Sequence, residues 1–288
     1  MKHNDWFNGF GAPLQEALTR NVKEAIAEDL GHCDYTGLLI EPETQCRARL
    51  LCRESAVVCG QPWFDEVFAM VEPQARLQWL VSEGEQVQPN TVVCEVTGPA
   101  RGLMTAERPA MNFLQTLSAV ATKTRFLSEL TRGTRAKLLD TRKTIPGLRL
   151  AQKYAVKVGG GENQRLALYD GILIKENHIA AAGGIAQALS RASEVADPGV
   201  GIQIEVESLE QLEEALSAGA QSILLDNFSL ELMRQAVTLN DHRALLEASG
   251  GINESTLTAI AQTGVDRISV GALTKDIKAV DYSFRVLT

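Results

Sequence analysis

The chain has 288 residues, 45% hydrophobic and 22% charged, the composition of a globular protein large enough for one or two domains. Its formal charge of −8, without any run of Lys or Arg, argues against nucleic acid or an anionic membrane as partner. The opening Met1-Lys2-His3-Asn4-Asp5-Trp6 lacks the apolar core of a secretory signal and no apolar run reaches membrane-spanning length, so a cytoplasmic protein is expected.

The first periodic segment is a helix over residues 13–30. Short strands follow at 48–52, 56–59, 77–81 and 92–96, with a helix over 61–71 among them, an α+β pattern. Cys33, Cys46, Cys52, Cys59 and Cys94 all fall in the first third, odd in number and without a CxxC pair, and read as reduced core thiols. The chain changes character near residue 105. A long helix is expected over 106–131, capped by Thr105, with Pro109 in its first turn and an apolar stripe of Met111, Leu114, Leu117, Ala121, Phe126 and Leu130.

Strands at 137–139, 172–174, 202–206, 222–225, 244–248 and 267–270 then alternate with helices. Ser208-x-x-Gln211 forms a capping box ahead of one helix that stops at Gly219; Ser229 and Asn253 cap the next two, and Gly264 ends the second. This alternation predicts a parallel β/α barrel or a doubly wound sheet. Neither a dinucleotide fingerprint nor a P-loop accompanies it.

A barrel places its chemistry at the carboxyl ends of its strands. Arg142 and Lys143 follow the first barrel strand, Lys175 the second, Glu205 lies on the third, Asp226-Asn227 follow the fourth, Ser249-Gly250-Gly251 the fifth and Gly271 the sixth. From Arg142 to Lys175 seven Lys or Arg face only Glu162 and Asp170, a basic island in an acidic chain. Arg142, Lys143, Arg165 and Lys175 suit a small polyanion, since Arg grips planar carboxylates bidentately and Lys reaches phosphate or carboxylate. Lys153 and Lys157, on a helix between, are expected at the surface or rim. Ser249, Gly250 and Gly251 ahead of a helix, with Gly271 on the next strand, form a candidate phosphate cradle. Glu205 and Asp226 suit a divalent cation shared with a diphosphate, or ribose hydroxyls; pairing with the neighbouring cations is the alternative. Glu207 alternates to the other face. Lys175 could instead be a Schiff-base lysine. His178 reads as a structural hydrogen-bonder, and His3, His32 and His242 fall in no constellation.

These residues stand in recognisable blocks: Glu107-Arg108, Asp140-Thr141-Arg142-Lys143-Thr144, Gln152-Lys153-Tyr154-Ala155-Val156, Gly159-Gly160-Gly161, Ile174-Lys175-Glu176-Asn177-His178, Ile204-Glu205-Val206-Glu207, Leu225-Asp226-Asn227-Phe228 and Ser249-Gly250-Gly251-Ile252. Together they closely resemble the quinolinate phosphoribosyltransferases, the carboxylating nicotinate-nucleotide pyrophosphorylases. The resemblance implies an N-terminal α/β sandwich over 1–117, rejoined by about 275–288, and an open-faced seven-stranded α/β barrel over 118–274. It implies transfer of a phosphoribosyl group from phosphoribosyl pyrophosphate to quinolinate with decarboxylation, Mg2+ accompanying the diphosphate, and a homodimer with shared sites. Arg142, Lys143 and Arg165 then correspond to quinolinate-binding cations, with Arg108 arriving from the partner subunit. Lys143 and Lys175 would act near the reacting groups, Glu205 and Asp226 near ribose and Mg2+, and Ser249, Gly250, Gly251 and Gly271 around the 5′-phosphate. One departure stands out: Gln164 occupies a position where the family usually has His, and an amide can donate a hydrogen bond but cannot become cationic.

Other readings remain open on the residues alone. A nicotinate phosphoribosyltransferase is disfavoured by four cations for a mono-acid. A Schiff-base barrel lyase using Lys175, or a non-catalytic binder of a phosphorylated metabolite, would need a separate test.

Overall fold

The computed structural model describes residues 9–287; His3 and the rest of the opening segment lie outside them. The chain divides into two compact units. Met1–Arg125, Thr144–Gly160 and Thr274–Thr288 form the first, while Phe126–Lys143 and Gly161–Leu273 form the second. As compact units, the first break falls after Arg125, and residues 144–160 group with the first unit.

The first unit opens with α1 (Ala12–Leu30), which buries Leu14, Ala17, Leu18, Asn21 and Val22. That i, i+3, i+4, i+7, i+8 stripe is what a one-sided helix needs, and each fully buried Leu or Val contributes about 1.5–3 kcal/mol. Its antiparallel sheet runs in the order β12 (Tyr282–Leu287), β1 (Gln45–Cys52), β5 (Thr91–Pro99), β3 (Arg76–Trp79). On β1, Ala48, Leu50 and Cys52 alternate inward; on β5 both Val93 and Cys94 are buried, because the register slips between Leu50 and Leu51 and leaves Val93 as the extra residue. The 56–59 run shortens to the two-residue β2 (Ala56–Val57), paired with β4 (Gln86–Val87).

Helix α2 (Gln61–Val71) buries Trp63, Phe64, Val67 and Phe68. Phe64 packs on Phe68 at 4.9 Å and on Trp79 at 5.2 Å between ring centroids. Glu83, buried, accepts the Gly60 N–H at the entry to α2 and the Tyr154 hydroxyl, both at 2.8 Å. Tyr154 lies on α4 (Arg149–Val158), a helix buried at Ala151 through Val156. Lys153 on it is 0% exposed, not at a surface or rim as expected, because this helix is enclosed on nearly every side.

The long helix also differs from expectation. α3 spans Ala100–Leu130, beginning directly after β5, so Thr105 is interior rather than a cap and Pro109 lies well inside. Thr105 Oγ1 is used within the helix and beside it, donating to Asp34 Oδ2 at 2.7 Å. Gly102, inside this helix, leaves room for a close approach: a Cβ there would meet Glu72 Cβ at 2.6 Å.

The second unit is built on six parallel strands in the order β6 (Lys137–Leu139), β11 (Arg267–Ser269), β10 (Leu245–Ser249), β9 (Ser222–Asp226), β8 (Gly201–Val206), β7 (Gly171–Ile174). Connecting them are α5 (Glu176–Ala182), α6 (Ile185–Val195), α7 (Leu209–Ser217), α8 (Leu230–Asn240), α9 (Glu254–Ala261) and the short α10 (Ala272–Lys275). Six strands are laddered where seven were expected; beside β6 the chain adds a single parallel bridge between Leu139 and Glu162. The helix caps fall where expected. Ser208 and Ser229 accept from Gln211 and Leu232 N–H groups, each at 3.2 Å, and Asn253 from Ser255 at 3.0 Å. The box at Ser208 is half made, since Gln211 Oε1 takes the N–H of Glu207 instead. Among the described residues no helix is long and apolar enough to cross a membrane.

Candidate active site

Strand alternation in the second unit separates two faces. Ile204 and Val206 on β8, Ile223 and Leu225 on β9, and Leu246 and Ala248 on β10 are fully or almost fully buried. Gln203 and Glu205, Leu224 and Asp226, Glu247 and Ser249 share the opposite, inner face. The sheet curls around that face. Glu162 bridges to Leu139 on β6 at one edge, while Arg165 Nη1 donates to the Gly171 carbonyl on β7 at the other, at 2.8 Å. Residues 162–165 therefore close the open side. They line a cavity of about 240 Å³ together with Gln203, Gly171, Gly201, Ser222 and Arg267, which lies at the amino ends of the strands rather than at the carboxyl ends that carry Lys175, Glu205, Asp226 and Ser249.

Asp140 braces this closure. It is 0% exposed, and its carboxylate accepts from Asn163 Nδ2 at 2.6 Å and from the Gln164 N–H at 2.9 Å. Two residues on, Arg142 is half-buried, and its Nε is buried without a hydrogen-bond partner. Arg165 lies near enough to feel it: burial, then the Arg142 charge, push the Arg165 guanidinium below its ordinary range, with Asp170 opposing. Two partly buried guanidiniums close enough to repel one another, one with an unsatisfied donor, favour an anion between them.

Lys175, the residue before α5, reaches across to Glu205 on the neighbouring strand, with Nζ to Oε2 at 3.2 Å. Glu205 is thereby committed to an ion pair, the alternative left open by the sequence, and Lys175 carries its charge at the mouth of the site. His178 is structural: its Nδ1 accepts the Lys175 N–H at 3.0 Å. Glu207 is exposed, but not because it turns to the other face: two residues after Glu205 the alternation would return it to the same face, and it lies just past the end of β8 at Val206, where the strand no longer directs it.

Asp226 accepts from Asn227 Nδ2 at 2.8 Å, and the Asn227 N–H donates to the Ser249 carbonyl at 3.0 Å. Asn227 adopts φ 56°, a left-handed conformation that Asn tolerates, and this swings it over Gly250. Gly250 has φ +100°, and a Cβ there would lie 3.0 Å from the Asn227 nitrogen. With Gly251 also left-handed, the backbone ahead of α9 stays bare, the arrangement suited to a phosphate at a helix N-terminus. At Gly271 a Cβ would approach Lys143 Cδ to 3.0 Å, so the glycine makes room for the lysine.

Among the described residues no group of three or more Asp, Glu, His or Cys is arranged to hold a metal ion. Glu205 and Asp226, on adjacent strands, fit Mg2+ in one way: as the one or two carboxylates it takes when diphosphate and water complete its shell. Arg108 belongs to the first unit. It is exposed on α3, with its neighbour Glu107 as ion-pair partner at 3.9 Å.

Three contributors carried no role in the sequence reading. Asn227 was noted only as a strand-end residue, and Gln203 and Glu247 were passed over as strand interior. Period-two alternation was the available signal, since Gln203 and Glu247 stand two residues before Glu205 and Ser249.

Comparison with known proteins gives one consistent result. The family descriptions "Quinolinate phosphoribosyl transferase, N-terminal domain" and "C-terminal domain" match residues 34–118 and 120–285. The chain is 41% identical over 275 residues to the carboxylating nicotinate-nucleotide pyrophosphorylase of Mycobacterium leprae, covering 92% of this chain and 96% of that protein. It is 39% identical over 269 residues to a probable enzyme of the same name from Bacillus subtilis, covering 93% of each. The solved nicotinate-nucleotide pyrophosphorylase of Francisella tularensis superposes with a TM-score of 0.92 at 45% identity, over 94% of this chain and 96% of that one.

Proposed function

The chain belongs to the quinolinate phosphoribosyltransferase family, and we infer that it moves the phosphoribosyl group of phosphoribosyl pyrophosphate onto quinolinate, yielding nicotinate mononucleotide, pyrophosphate and CO2. This is a pentosyltransferase step of de novo NAD biosynthesis. The observation that carries the assignment of its site is the Arg142–Arg165 pair, half-buried, mutually repelling and with a buried Nε unpartnered. A dicarboxylate satisfies both guanidiniums at once, which a mono-acid does not.

The site residues then divide the work. Arg142 and Arg165, with Lys143, hold the two carboxylates of quinolinate and aim its ring nitrogen at ribose C1. Bare backbone at Ser249, Gly250 and Gly251, with Gly271 giving Lys143 its room, receives the 5′-phosphate. As the C1–pyrophosphate bond opens, positive charge builds at C1, and the carboxylates of Glu205 and Asp226 stabilise it electrostatically. Lys175, already balanced against Glu205, faces the reacting groups as a mobile cation. Glu205 and Asp226 are the residues that would hold Mg2+ bound with the diphosphate, and the ion would supply charge neutralisation of the leaving group. Once the ring nitrogen is alkylated, the cationic ring accepts the electron pair of the adjacent C–CO2 bond, CO2 departs, and a proton fills the vacated carbon. Gln164 supplies no cation; its side chain turns inward, towards Gln203 and Glu247.

Arg108, exposed on α3, is proposed to complete the pocket of a second copy in a homodimer. All five cysteines are free thiols, which fits a reducing cytoplasm. Incubation with quinolinate, phosphoribosyl pyrophosphate and Mg2+ should release pyrophosphate and CO2 in equal amounts. Turnover of nicotinate in place of quinolinate would overturn the substrate assignment.

A further inference from the structure

Glu247 stands on the third residue of β10, 1% exposed, where the proposed mechanism gives it no part. Its carboxylate accepts Gln203 Nε2 at 2.9 Å and lies 3.4 Å from Gln164 Nε2 through each oxygen. Gln203, itself buried, turns its other end to Gln164: Oε1 accepts Gln164 Nε2 at 2.6 Å. Gln164 Oε1 then accepts the backbone N–H of Arg165 at 2.6 Å.

An amide side chain can face either way, but an ionised carboxylate only accepts. Glu247 therefore forces the NH2 of Gln203 towards itself, which leaves the Gln203 oxygen for the NH2 of Gln164. The Gln164 oxygen is left with one direction, towards the N–H of Arg165. One buried carboxylate sets the sense of two amides in series, and the series ends on the backbone of Arg165. A core that needed only satisfied polarity would not have to be directional.

Resting on the reading of Arg165 as a quinolinate-binding cation, we propose that Glu247 and Gln203 are positioning residues that act through Gln164 to aim Arg165 at the dicarboxylate. They touch neither substrate. Their effect belongs to the KM for quinolinate, because the series of amides ends on Arg165, whereas Glu205 and Ser249 stand two residues further along β8 and β10 and make no hydrogen bond to it.

The test is a cycle of variants in the full chain, with KM and kcat measured for each substrate separately. Gln203→Glu sets two carboxylates face to face and should raise the KM for quinolinate about tenfold, with kcat and the KM for phosphoribosyl pyrophosphate within about twofold. Glu247→Gln, nearly isosteric and uncharged, frees the amides to turn over and should raise the same KM about threefold. The exchange Gln203→Glu with Glu247→Gln restores one carboxylate and one amide to the pair, still offering Gln164 Nε2 an acceptor. It should bring that KM back to within about twofold of the starting protein. A purely structural role predicts the reverse: lowered stability, unaltered KM and no rescue by the exchange. If Gln203→Glu does not fold, Glu247→Gln against the exchange decides, and equal KM values in the two overturn the proposal. Arg165→Ala separates the two levels. If it leaves the KM for quinolinate unchanged, the reading of Arg165 falls and this inference with it. If it raises that KM while the cycle stays flat, the positioning role alone is lost.

Discussion

Arg142 pairs two properties that usually exclude one another, partial burial and an unsatisfied donor. Leaving a buried polar atom without a partner costs about 1–3 kcal/mol in a folded protein, so its place here marks a group held ready for a ligand. Arg142→Ala should therefore raise the KM for quinolinate about 10- to 100-fold, the loss of one charged hydrogen-bonding group, while changing stability by less than about 1 kcal/mol. Steady-state kinetics beside urea unfolding will check both halves, and unchanged kinetics would sink the assignment. Gly271 offers a second residue-scale test. Its backbone is not left-handed, so alanine is tolerated there, but the added Cβ presses on Lys143 at Cδ. Gly271→Ala should lower kcat/KM about tenfold with little loss of stability, through displacement of the lysine. At Gly250, by contrast, the same change meets a left-handed backbone and the Asn227 side chain, and a stability loss of about 1–3 kcal/mol is expected in thermal unfolding.

At the scale of elements, the second unit was largely legible. Its strands show the apolar runs of a parallel sheet, its helices carry Ser208, Ser229 and Asn253 at their entries, and its chemistry sits at strand ends where barrels keep it. The misreadings arose where tertiary contact overrode local signal. A helix from residue 106 behind a Thr105 cap was expected, yet α3 begins at Ala100 directly after β5, and at Gly102 Glu72 packs where a side chain would stand. Lys153 reads as surface by charge and is enclosed by its fold. The polar chain through Gln203 and Glu247 could not be read locally, since its partners are 39 and 83 residues from Gln164 in sequence. Capping is testable at this scale: Ser229→Ala should destabilise by about 1 kcal/mol in urea unfolding. So is the tie between α4 and the entry to α2. Burial raises the Glu83 pKa, so its contribution to stability is fully present below the ordinary carboxyl range and declines as pH rises through the raised value. Tyr154→Phe removes one donor to that carboxylate, which should cost about 1–2 kcal/mol and steepen the decline with pH.

For the molecule as a whole, the proposed sharing of sites makes a demand that no single chain can meet. If Arg108 serves a second copy, Arg108→Ala and Arg142→Ala homodimers should each be impaired, while a mixture of the two restores one intact pocket per heterodimer. Absence of any rescue in verified heterodimers would count against a shared site. A different consequence follows from the pairing of β12 with β1, which sets Cys52 opposite Tyr282 across most of the chain's length. During synthesis β1 emerges early and must wait for its neighbour on that side until the whole of the second unit has left the ribosome. The second unit needs no such partner and can form in the interval. In that interval β1 is an uncovered edge, open to pairing with another nascent chain. Removal of Tyr282–Leu287 would make the condition permanent, and its expected signature is aggregation rather than a loss of catalytic rate.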